Sequence, residues 1–111
     1  MITRAMADEA IARYLRALER AMDLDGSALP WNKDRPSHQL VVVDAQEHDF
    51  GWVCAYNSKA FAEDGDFLQA LAGNAPVIVD REDGRLYGTG TVHSIEHYLA
   101  EFRAGLRHPV R

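Results

Sequence analysis

The chain has 111 residues, 47% of them hydrophobic and 26% charged, with a formal net charge of −5. A chain of that size has room for a single core, so residues 1–111 are expected to form one domain of ordinary globular composition. The acidic balance disfavours non-specific nucleic-acid binding, which needs clustered Lys and Arg, and no run reaches the roughly 18 apolar residues of a membrane span. The start, Met1-Ile2-Thr3-Arg4-Ala5, lacks the basic opening and apolar centre of a secretion signal. One cysteine, Cys54, cannot close an internal disulfide, in keeping with a reducing compartment. The expectation is a cytoplasmic protein.

In chain order, residues Thr3 to Met22 predict an amphipathic helix. Ile11, Tyr14, Leu15, Leu18 and Met22 recur at helical spacing on one stripe, and Glu9 and Arg13 stand in a favourable i, i+4 order. Asp25-Gly26-Ser27 closes the helix, and a loop from Ala28 to Ser37, carrying Pro30, Trp31 and Pro36, follows. Gln39 to Ala45 is rich in β-branched residues and predicts a strand. After a polar turn over Gln46–Asp49, a second strand is expected from Phe50 to Asn57. Alternation along it places Phe50, Trp52, Cys54 and Tyr56 on one face, with Val53 and Ala55 on the other.

Ser58 to Gly73 reads as a short helix or a packed loop anchored by Phe61, Phe67, Leu68 and Leu71. Pro76–Asp80 predicts a third strand, opened by a proline that is tolerated at a strand's first residue. Glu82-Asp83-Gly84 is a compact turn, and Arg85–Thr89 a fourth strand. Ser94 to Leu106 is expected to be helical, with Ser94 as N-cap and Ile95, Tyr98, Leu99, Phe102 and Leu106 on one stripe. Short links between paired strands imply hairpins. The class is therefore α+β: a mainly antiparallel four-stranded sheet flanked by an N-terminal and a C-terminal helix.

The negative charge is concentrated. Between residues 44 and 83 stand Asp44, Glu47, Asp49, Glu63, Asp64, Asp66, Asp80, Glu82 and Asp83, against Lys59 and Arg81 alone. Catalytic patterns are weak by comparison. His93-Ser94-Ile95-Glu96-His97 has the H-x-x-E-H spacing of inverted zinc peptidases, but His93 precedes the expected cap and so short a chain hardly provides the third ligand and cleft those enzymes need. The plainer reading is a helix start with Glu96 in its favourable first turn. Asp80, Glu82, Asp83 and Gly84 miss the EF-hand spacing by one residue and read better as a hairpin turn. Cys54, mid-strand between Trp52 and Tyr56, reads as an inert buried thiol. No phosphate-binding glycine loop, nucleophile elbow or paired-cysteine zinc pattern is present, so no catalytic residue, metal or cofactor is expected.

A further pattern lies in the order of several pieces: Phe50-Gly51-Trp52-Val53, Gly65-Asp66, Gly73-Asn74-Ala75-Pro76, Asp80-Arg81 with Gly84, Gly88-Thr89, then Glu96 and Tyr98. Together, from about Val42 to Phe102, they resemble the immunity protein 35 (YrhB-like) family of bacterial polymorphic toxin systems. The resemblance implies a small α+β antidote that binds a cognate toxin protein and blocks it without turnover. It brings no catalytic residues with it. The Pro30-to-Pro36 loop and the histidines near position 93 are not features of that resemblance.

The leading expectation is thus a toxin inhibitor, whose partner would be a basic domain such as a nuclease. Asp44, Glu47, Asp49, Glu63, Asp64 and Asp66 are then the candidate partner-binding residues, steering association and imitating phosphate. Two rival readings are a regulatory or interaction domain without a toxin partner, such as a homodimer, and a zinc-dependent hydrolase using His93, Glu96 and His97.

Overall fold

The computed structural model describes residues 1–22, 39–64 and 75–110, apart from the side chains at 22, 60, 61 and 64. The expected helix stop at Asp25-Gly26-Ser27, the proline-flanked loop with Trp31, and the stretch containing Asp66, Phe67, Leu68 and Leu71 lie outside the described residues.

Helix α1 spans Arg4–Met22. Thr3 caps it, its Oγ1 accepting a hydrogen bond from the Met6 N–H at 3.2 Å. Strands β1 (Leu40–His48) and β2 (Gly51–Ser58) form a hairpin. Helix α2 (Lys59–Asp64) follows directly, so the region of ambiguous pattern begins as a short helix. Strands β3 (Val77–Asp80) and β4 (Leu86–Gly88) form a second hairpin, and helix α3 spans Ile95–Arg103. The sheet order is β1-β2-β3-β4 with every pairing antiparallel, which is the expected α+β architecture.

Alternation along β2 and β3 splits the core into two layers. Trp52, Cys54, Tyr56, Val77 and Val79 meet Ala7, Ile11 and Leu15 of α1, together with Leu40. Val53 and Ile78 point the other way and meet Phe102 of α3, with Tyr87. The two helices therefore cover opposite faces of the sheet. Burial of each large core side chain contributes about 2–3 kcal/mol, and Phe102, Leu15, Leu40, Ile78 and Val79 are the most completely enclosed of them.

Three local expectations change. First, β1 runs three residues further than the apolar pattern, because Gln46, Glu47 and His48 pair with Val53, Trp52 and Gly51. Polar side chains are tolerated there because Gln46 and Glu47 face solvent. The turn shrinks to Asp49-Phe50, so Phe50 leaves the alternation. It packs on the α3 side against Phe102, with ring centroids 5.0 Å apart, rather than beside Trp52. Second, α3 stops at Arg103. Gly105, at φ +92°, reverses the chain, and the Leu106 N–H bonds to the Glu101 carbonyl at 2.9 Å while the Gly105 N–H bonds to that of Phe102 at 3.1 Å. Leu106 is left 60% exposed, off the buried stripe. Third, the ion pairs on α1 are Arg4–Asp8 and Arg16–Glu19, both at 2.8 Å, whereas Glu9 and Arg13 make none among the described residues.

The cap at Ser94 and the turn over Glu82-Asp83-Gly84 form as expected. Ser94 caps α3 and accepts from the His97 N–H. In the β3–β4 turn the Asp80 carboxylate accepts from the Glu82 N–H at 2.7 Å, and Gly84 takes φ +73°. The outer edge of β4 is covered by the C-terminal segment, an arrangement with no counterpart in the local sequence pattern. The Gly88 N–H donates to His108 O at 2.6 Å, the Val110 N–H donates to Leu86 O at 3.1 Å, and Tyr87 bridges to Pro109.

Candidate partner-binding surface

The acidic segment meets its counter-charges at one end of the sheet, where the two hairpins and the end of α3 converge. Arg81, just after β3, donates to Glu47 Oε2 at 2.6 Å and to the His48 carbonyl at 2.9 Å, with its guanidinium 4.9 Å from the centre of the Trp52 ring. Arg103, at the end of α3, pairs with Asp49 at 2.8 Å and lies 4.8 Å from the Phe50 ring. Arg107 pairs with Asp80 at 2.9 Å and lies 3.9 Å from the Phe102 ring. Each arginine thus couples a carboxylate from the middle of the chain to an aromatic ring, a geometry suited to the planar guanidinium and not to lysine. Beside them a cleft of about 400 Å³ is bordered by Asp49, Asp80, Arg81, Glu82, Asp83 and Arg107, among others.

The predicted contact residues do not share one environment. Glu47 and Asp49 are exposed but held by Arg81 and Arg103, and Glu63 is exposed with Lys59 at 3.8 Å. Asp44 is exposed and makes no ion pair among the described residues; it stands opposite Ala55, on the sheet face that carries Val53. The side chain of Asp64, and all of Asp66, lie outside the described residues. Arg103 and Arg107 were not among the residues expected at this surface. The only signal was that positive charge exceeds negative after residue 84, which says nothing about which carboxylate each arginine meets.

The other candidates take defined places. His97 Nε2 lies 2.7 Å from Glu101 Oε1, and the His93 ring lies against the His97 ring at 4.1 Å. Glu96 is exposed and pairs with neither imidazole, and no group of three or more His, Cys, Asp or Glu among the described residues is placed to hold a metal ion. Cys54 is 3% exposed, and its burial pushes the thiol pKa up, away from a reactive thiolate. Trp52 is core, 3% exposed. Among the described residues no helix is long and apolar enough to cross a membrane.

Taken together, these features define a small α+β fold that gathers three arginine–carboxylate ion pairs at one end of its sheet. Comparison with known proteins agrees with that class. The sequence profile of immunity protein 35 matches residues 8–105, and the chain belongs to that family. It is also similar to the uncharacterized protein YrhB of Escherichia coli strain K12, at 38% identity over 52 residues, covering 47% of this chain and 55% of the relative. The chain therefore matches about half the length of that curated relative. No solved structure matches it.

Proposed function

We propose that this chain is a cytoplasmic immunity protein of a bacterial polymorphic toxin system, which binds a cognate toxin domain and blocks it by occlusion, with no turnover of its own. Membership of the immunity protein 35 family across nearly the whole chain carries this reading. The chemistry of the surface is compatible with it, since the exposed groups are carboxylates and guanidiniums suited to recognition and the lone thiol is buried.

The partner in this reading is a toxin with a basic face, such as a nuclease, and Asp44, Glu47, Asp49, Glu63, Asp64 and Asp66 are the side chains proposed to meet it. Complementary charge speeds encounter and fixes orientation, while a few buried apolar anchors supply most of the affinity.

Co-expression with the toxin encoded beside the gene tests the proposal, scored by growth and by co-purification. Rescue of growth with a stable stoichiometric complex is the expected result. Unrelieved toxicity with no complex would overturn it.

A further inference from the structure

The two edges of the sheet are treated differently. The β4 edge is closed by residues 108–110. Among the described residues, the β1 edge is closed at its first residue alone, where Glu19 Oε2 accepts from the Leu40 N–H at 3.0 Å and Arg16 donates to the Leu40 carbonyl at 2.7 Å. Those contacts show that Leu40 directs its backbone groups away from β2. Strand alternation gives Val42 the same outward aspect, two residues on. Beyond it the ladder slips at Val43, so that Val42 and Asp44 pair with the adjacent residues Tyr56 and Ala55. From Val42 to Glu47 the outer edge has no strand neighbour among the described residues.

Two large apolar side chains are exposed at this slip, Val42 at 39% and Val43 at 50%. An unpaired edge with exposed β-branched residues is a template for another strand, and folded proteins ordinarily blunt such an edge with lysine, proline or a cover. β1 contains no Lys, Arg or Pro, and its only charged side chains are Asp44 and Glu47. A second copy of β1 laid alongside would bring like charges together, which is destabilising. An extended segment carrying Lys or Arg would instead be complementary.

We propose that the outer edge of β1, from Val42 to Glu47, is the docking site for a basic extended segment of the toxin, which joins the sheet as an additional strand beyond β1. Main-chain hydrogen bonds supply the affinity and Val42, Val43 and Asp44 the selectivity, as in other strand-addition complexes. This inference rests on the immunity reading above.

The test uses the full chain and the same neighbouring toxin, with amide hydrogen exchange followed at residues 42–47 in the free protein and in the complex. At least tenfold slower exchange there on binding is expected. Val42→Pro, which removes an outward-facing edge donor, should weaken the complex tenfold or more. Asp44→Arg, which leaves the backbone intact, should weaken it severalfold and serves as the test if Val42→Pro fails to fold. A stable, growth-rescuing complex with unchanged exchange at 42–47 would overturn this docking site while leaving the immunity function standing. Self-association of the free protein through these same amides would overturn it in favour of a second copy. Absence of both rescue and complex would overturn the immunity reading and this inference with it.

Discussion

Arg107 and Asp80 form the most enclosed ion pair described in this protein. The carboxylate is 5% exposed, with Oδ2 at 2.9 Å from Arg107 Nη1 and Oδ1 accepting the Glu82 N–H. The same guanidinium lies 3.9 Å from the Phe102 ring, so a single side chain ties the C-terminal segment to the β3–β4 turn and to α3.

Removing one member of such a pair leaves a buried charge without compensation. Arg107→Ala is expected to lower stability by about 2 kcal/mol, less than the roughly 3–5 kcal/mol of a fully buried pair because the arginine is partly solvated. Arg107→Lys should recover only part of the loss, since lysine keeps the charge but not the planar stacking. Urea denaturation of the two variants measures both numbers, and equal stability of Arg107→Ala and wild type would refute the role.

Gly51 opens β2 at φ +149°, and a methyl group placed there would run into the Val79 carbonyl oxygen. The strand cannot shift without breaking its register with β3, in which Gly51 faces Asp80. Gly51→Ala should therefore cost about 3 kcal/mol or more, combining backbone strain with a main-chain clash. Gly105→Ala meets nothing within 4 Å and bears only the conformational penalty, about 1 kcal/mol. Paired thermal melts of the two variants would show the ranking.

Tyr56 provides the pH dependence. Burial and then the neighbouring Tyr14 push its phenol up to about 12 from an ordinary value of 10.0. The folded state therefore prefers the neutral phenol. The resulting stability is fully present below pH 10 and is lost as pH rises from about 10 to 12, on the order of 2 kcal/mol. Comparing denaturation of the wild type and Tyr56→Phe across that range should show a steeper alkaline loss for the wild type. Parallel curves would contradict the assignment.

The acidic side chains should separate in their effects on the fold. Asp44→Arg removes no described ion pair and should leave the melting temperature within about a degree. Glu47→Arg and Asp49→Arg each place a cation beside Arg81 or Arg103 and should cost about 1 kcal/mol. If the toxin is basic, all three should slow its association, most strongly at low salt. Binding kinetics at two ionic strengths, read beside the melts, distinguish lost recognition from lost stability.

Much of the local structure was legible in the residues themselves. The stripe from Ile11 to Leu18, the β-branched run before Ala45, the cap at Ser94 and the glycine turn at Gly84 each follow from a spacing or a backbone preference acting over a few residues. The family, too, was visible in short pieces and their order. The candidate contact surface was legible only as composition. That Asp49 meets Arg103 and Asp80 meets Arg107 depends on pairs 54 and 27 residues apart, which no local pattern records.

The sequence by itself determined the order of the four strands and of the first and last helices, and which side chains from Trp52 to Tyr56 share a face of β2, because a period of two is a property of any extended backbone. Only the tertiary structure decided that α1 takes the face of Trp52 while α3 takes that of Val53, that the tail closes β4, and that the edge of β1 from Val42 on meets no further strand among the described residues. Both sheet faces carry apolar side chains able to receive a helix. The choice between them is made by long-range packing and by the reach of the connections, not by the pattern of either element alone.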